Sequence, residues 1–193
     1  MASHKKQQLL DTALVLFVEN GIQGTATAKI AKEAGVANGT LFHHFATKKA
    51  LVDNLYLLTK TELSAALTPA ESSLPLQQQF QHYWNSGLAW AQHNPTKLQF
   101  LRQIASDPGF SLRQQHEMMA TTMGFLMTLI ETGIDQGKLV KRPLPLLLNF
   151  CHSQYLATAS LLIEHPDYAS DPEWLQHAFA LLWQAIVTPE HQQ

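Results

Sequence analysis

Two adjacent histidines, His43 and His44, stand in the segment Thr27 to Phe45, whose other residues are mostly small, apolar or hydroxyl-bearing. Histidine can ligate a metal, move protons or hydrogen-bond to nucleic acid. Neighbours on a helix project about 100° apart, so this pair cannot easily chelate one ion. Together with Asn38 and Thr40 they offer donors and acceptors on or near one outer face, suited to base edges or phosphates in a major groove. Elsewhere the chemistry is fragmentary. His116-Glu117-Met118-Met119-Ala120 has the first half of a zinc-protease motif but Ala where the second His is needed. Cys151 and His152 are neighbours that diverge on a helix. There is no Gly-x-Ser-x-Gly, phosphate loop, dinucleotide fingerprint or Cys-x-x-Cys. No enzyme activity, metal or cofactor is expected, despite ten histidines.

A surface of that kind needs a rigid two-helix corner behind it, and the intervening residues supply one. Ile30 and Ala34 are placed to face a core, Ala31 permits close helix approach, Gly35 makes the turn, Val36 plugs it, and Leu41 with Phe45 anchors the second helix. This predicts a helix-turn-helix over residues 26–45, with a plain helical hairpin as the alternative. A helix from the Ser3 cap to Gly21 carries Leu9, Leu10, Ala13, Leu14 and Phe17 on one stripe. A fourth, capped by Thr47 and reaching about Leu67, has Leu51, Leu55 and Leu58 inward. Pro69 to Pro75 breaks the chain, giving an N-terminal DNA-binding unit over residues 3–63 and a C-terminal domain over 70–193. Punctuation at Asn94-Pro95, Asp107-Pro108-Gly109, Gly137 with Pro143, and His165-Pro166 with Asp171-Pro172 predicts helices Leu76–His93, Lys97–Ser106, Leu112–Gln136, Leu144–Glu164 and Pro172–Val187. The expected fold is all-α, with about nine helices.

The whole-chain charge of −2 conceals an asymmetry. Residues 1–60 hold seven lysines against four carboxylates, a balance of +3, which leaves −5 for the remainder. A basic module on an acidic body suits a nucleic-acid partner. With 46% hydrophobic and 15% charged residues the chain belongs to ordered globular proteins. A single cysteine, Cys151, fits a reducing compartment, and the first residues lack a signal-peptide pattern, so the cytoplasm is expected. The apolar stretch Leu144 to Ile163 carries Asn149, His152, Ser153 and Gln154, which favours a buried helix over a membrane span.

Leu9 to Leu55 resembles the DNA-binding region of the TetR (tetracycline repressor-like) family. The features are Leu-Asp-Thr-Ala-Leu-Val-Leu-Phe-Val-Glu-Asn-Gly, Thr25, Ile30-Ala31, Ala34-Gly35-Val36, Gly39-Thr40-Leu41, His43-His44-Phe45, and Lys48 with Ala50-Leu51. The resemblance implies a phosphate or positioning role for Thr25 and a phosphate role for Lys48 at the start of the fourth helix. Asn38, Thr40 and His43 are the candidates for base readout and His44 for the backbone, while Gly39 lets the groove wall approach and Lys29 joins the DNA-facing set. Two departures stand out. Phe42 replaces a frequent Tyr, so one phosphate-bonding hydroxyl is absent, while Ala28 and Lys29 stand where an Arg-Asp-like pair is common and Lys49 replaces a frequent Glu, adding positive charge beside Lys48.

The resemblance further implies a dimeric repressor of transcription on a near-palindromic double-stranded operator, released by a small molecule. Apolar residues on several faces of the last two helices, among them Leu147, Leu148, Leu162, Phe179 and Leu182, suit a four-helix homodimer interface. Trp84, Met123, Cys151 and Tyr155 are the candidate contacts of an apolar or aromatic effector. A DNA-binding regulator that answers to a protein partner instead would carry the same N-terminal signals.

Overall fold

The structure, a computed structural model, describes residues 2–191, without the side chains of residues 2, 3, 112 and 191. It contains helices α1 (Ala2–Asn20), α2 (Thr27–Glu33), α3 (Asn38–His44), α4 (Lys48–Ala66), α5 (Leu76–His93), α6 (Pro95–Ser106), α7 (Leu112–Asp135), α8 (Leu144–Glu164), α9 (Pro166–Ala169) and α10 (Pro172–Ile186). The expected cap Ser3 lies outside the described side chains, and α1 already begins at Ala2. The short α9 was not anticipated. His165-Pro166 reads as punctuation, but proline at the first position of a helix starts a turn as readily as it ends one. The same effect moves the start of α6 from Lys97 to Pro95.

Helices α1 to α3 and the first half of α4 enclose a small core of Leu9, Ala13, Phe17, Ile30, Leu41, Phe45, Leu51 and Leu55, all buried. Gly35 ends α2 at φ +66°, where a side chain would be strained. Its N–H donates to Lys32 O (3.1 Å) and that of Val36 to Ala31 O (3.0 Å), the paired bonds of a Schellman turn. Thr47 accepts from Ala50 N at 3.0 Å and caps α4 as its sequence position predicts.

This head is not a separate bead. Phe17 of α1 stacks on Phe100 of α6 with centroids 6.2 Å apart, and Gln103 donates to Val18 O. Helix α4 runs unbroken from the head into the body, packing against α1 at one stage and against α5, α6 and α7 further on. Apolar α8 lies at the centre of the body against α5, α6, α7, α9 and α10. By length and composition α8 could cross a membrane, but its Leu147, Leu148, Leu156, Ala159 and Leu162 are buried among other helices. An isolated bridge between Leu139 and Val187 ties the loop after α7 to the end of α10.

Helix α7 departs from the continuous helix expected over 112–136. At Met123 its backbone leaves the helical region (φ −135°, ψ 35°), and Ser64 of α4 donates to the adjoining Thr122 carbonyl at 2.6 Å. The break falls where Thr121 and Thr122 bond back to the carbonyls of Glu117 and Met118 and Gly124 follows, and a side chain from a neighbouring helix takes up a carbonyl beside it.

Candidate functional site

With Leu41 and Phe45 buried under α3, its other face must turn outward. Asn38, Gly39, Phe42 and His43 are exposed, and Thr40 and His44 are half-buried. Phe42 is 44% exposed, a large apolar ring left in solvent where a contact is expected. The His43 and His44 rings meet edge to face at 5.4 Å. Among the described residues no group of three or more His, Cys, Asp or Glu could hold a metal.

Thr25 is 1% exposed, and its hydroxyl faces the carbonyls of Gly21 (2.7 Å) and Leu16 (3.1 Å). Of its two expected roles, phosphate contact is therefore removed by burial and the positioning of the α1–α2 turn is left. Lys48 donates to Gln23 O at 3.1 Å, and partial burial lowers its pKa against the opposing field of Asp107. An ammonium has three hydrogens, so Lys48 retains donors for a phosphate. Lys29 lies on the exposed side of α2, 3.9 Å from Glu33. Lys49 adds less free positive charge than expected, because it pairs with Asp53 (2.9 Å) and sits over the Phe110 ring.

Behind the head, α4, α5, α7, α8 and α10 line a partly open cavity of about 110 Å³. Trp84, Met123, Cys151 and Tyr155, the four residues expected at an effector site, all line it. The remaining wall is mostly apolar, with Phe80, Leu126, Ile130 and Leu182. Tyr155 donates to Gly87 O at 3.0 Å. Burial raises the Cys151 thiol to about 11, which keeps it protonated and inert at neutral pH.

Two further lining residues escape the sequence reading. Lys60, counted there in the basic head, is 1% exposed, and burial lowers its pKa to about 8. Its Nζ lies 3.0 Å from Nε2 of His152 and 5.6 Å from the Tyr56 ring centroid. Burial, then the charges of Lys60 and His116, holds His152 well below the usual histidine range. The signal for Lys60 was its register: it falls four residues after Tyr56 and three before Leu63, on the inward stripe of α4.

A helix-turn-helix rigidly joined to a helical body is the architecture of a DNA-binding regulator. Residues 9–55 match the family model described as bacterial regulatory proteins, tetR family, and residues 59–188 match that of the tetracyclin repressor-like C-terminal domain. The chain therefore belongs to the TetR family of transcriptional regulators and is not an enzyme. A solved structure described as a TetR-family transcription regulator from Shewanella sp. PV-4 is 38% identical, with a TM-score of 0.90 over 95% of this chain and 98% of that one. A TetR-family structure from Marinobacter aquaeolei VT8 shares the fold at 19% identity, with a TM-score of 0.77 over 95% of each chain. The HTH-type transcriptional repressor KstR2 of Rhodococcus jostii is 42% identical over 53 residues, covering 28% of this chain and 26% of that protein. The chain thus spans about a quarter of the length of that curated relative.

Proposed function

We propose that this regulator is a cytoplasmic repressor, whose homodimer binds a near-palindromic operator and is released when an apolar or aromatic small molecule occupies the internal cavity. The observation that carries the DNA reading is the outer face of α3, where Asn38, Phe42 and His43 are exposed by a buried Leu41–Phe45 anchor. Base-edge readout falls to Asn38, Thr40 and His43, and backbone contact to Lys48, His44 and Lys29.

Leu147, Leu148, Leu162, Phe179 and Leu182, named from the sequence for the interface, are buried in the chain's own core because α8 and α10 turn those faces into the body. Dimerisation is supported instead by other apolar residues left exposed on α8 and α10. Leu146, Phe150, Ser153, Ala157 and Leu161 recur every three or four residues on the exposed side of α8, and His177, Leu181 and Ala185 on that of α10. Leu146 and Leu181 are 57% and 65% exposed, and small Ser153 and Ala157 between the larger residues permit close helix crossing. Symmetry then sets two α3 helices over successive major grooves.

The cavity favours a small-molecule signal over control by a protein partner, because a filled interior would serve the latter equally well. Helix α4 links the sites. Lys48 begins it and Lys60 faces the cavity twelve residues on, about 18 Å along a helix. Effector binding would favour the α4 tilt and dimer spacing that do not fit DNA.

Repeated selection of bound fragments from random duplex DNA tests this function. The expected product is a sequence with two inverted half-sites, protected by one dimer. Selection that converges on no sequence, or a protein that sediments as a monomer at micromolar concentration, would refute it.

A further inference from the structure

We propose that the ligand of the internal cavity is a monoanionic amphiphile, an apolar or aromatic body ending in one carboxylate, with its head group held by Lys60. This rests on the sensor reading above and names the chemical class that the cavity accepts.

The polar groups left unmatched at the cavity are hydrogen-bond donors. Lys60 is buried, forms no ion pair among the described residues, and has no Asp or Glu beside it in the lining of its cavity. Its polar contact is Nε2 of His152, a neutral ring that accepts one hydrogen and supplies no countercharge. Trp84 is also buried and lines the same cavity, and its Nε1 has no acceptor. The Tyr155 hydrogen is already directed to Gly87 O. A buried ammonium without an anion and an indole N–H without an acceptor both disfavour the empty state. A carboxylate supplies the countercharge that Lys60 lacks and oxygen acceptors to a cavity whose unmatched groups are donors, whereas an ammonium ligand would add to both deficits.

The surroundings give the ligand a direction. On one side of the Lys60–His152 pair lies the apolar chamber with Phe80, Met123, Leu126 and Ile130. On the other lies a niche of about 10 Å³ that the same pair lines, with Gln115, His116 and Asn149. The niche is no larger than a water site, so the head group stops at its mouth and the body fills the chamber. Burial leaves Lys60 mostly protonated at neutral pH, with a pKa of about 8, so the cation is present to meet the anion.

Calorimetric titration of the full chain at pH 7 with 3-phenylpropanoate, 3-phenylpropan-1-ol and 3-phenylpropylammonium, and with hexanoate and hexan-1-ol, tests the assignment. The carboxylates should bind at least tenfold more tightly than their alcohols, and the ammonium compound not measurably. In Lys60→Met the preference should disappear while the alcohols bind as before or better. Trp84→Phe keeps an aromatic ring but loses the donor, and should weaken carboxylate binding three- to tenfold, a second reading independent of Lys60→Met. Alcohols binding as well as carboxylates to the unaltered chain, or a preference that survives Lys60→Met, would overturn the anionic class and leave the effector cavity standing. If none of the five compounds binds, both the class and the sensor reading fall.

Discussion

His43 on α3 and Lys48 at the start of α4 differ in what their loss should report. Lys48 stands at the start of α4, and an ammonium on phosphate attracts every sequence alike. Lys48→Ala should weaken binding to cognate and random DNA equally and lower the salt slope by about 1. His43→Ala should instead relax base preference at one operator position, at a cost of about 1–3 kcal/mol on cognate DNA. Equal losses on both DNAs for His43→Ala would remove its readout role. Lys60 poses a question of stability. Its pKa is about 8 in the fold against the ordinary 10.5, so between these values the unfolded chain holds a proton that the folded chain has released. Stability from this group therefore rises with pH across that window, and below pH 8 the full penalty is present. Lys60→Met should raise stability at pH 7 by about 1–3 kcal/mol, and the gain should shrink towards pH 10. Tyr56 and Tyr155, both raised by burial, act in the opposite sense only above pH 10 and are common to both proteins. A melting-temperature difference that is zero or negative at pH 7, or constant up to pH 9.5, would show that the buried ammonium carries no penalty.

Helix α8 buries one face in the body and leaves Leu146, Phe150, Ala157 and Leu161 exposed on another, and α10 leaves Leu181 and Ala185 exposed among polar neighbours. Leu181→Glu places a carboxylate at the most exposed of the large apolar residues on these helices. We expect it to raise the dimer dissociation constant at least tenfold by sedimentation and to weaken operator binding, while helicity is unchanged. An unaltered dimer would mean that subunits meet elsewhere. Helix α7 shows where an element escapes local reasoning. Ser111 and Gln114 form a capping box at its start, a pattern visible in the residues themselves, whereas the break at Met123 is accompanied by a hydrogen bond from Ser64 of α4 that no local pattern places there. The inserted α9 was hidden for a different reason, since proline near a helix end marks a stop and a start alike.

Across the whole molecule, head and body are mechanically continuous. Besides α4, Gln23 donates to Asp107 (3.2 Å), and Phe110 beyond it meets both Tyr56 and Lys49. The two family matches meet inside α4, between residues 55 and 59, rather than at the Pro69–Pro75 break. The charge split also changes meaning: Lys60 belongs to the cavity, so one of the seven lysines of the first sixty residues does not face DNA. The sequence by itself determined the long helices to within a few residues, the Thr47 cap and the helix-turn-helix. Those depend on periodic burial and on turn residues such as Gly35 and Thr47, which act over one or two turns of chain. It also marked Trp84, Met123, Cys151 and Tyr155 for one cavity. Only the tertiary structure decided that Thr25 is buried and that α7 breaks. It also brought Lys60 to His152, 92 positions away, without a carboxylate beside them. Burial of a charge is set by every helix that closes over it, and no local pattern of residues records that convergence.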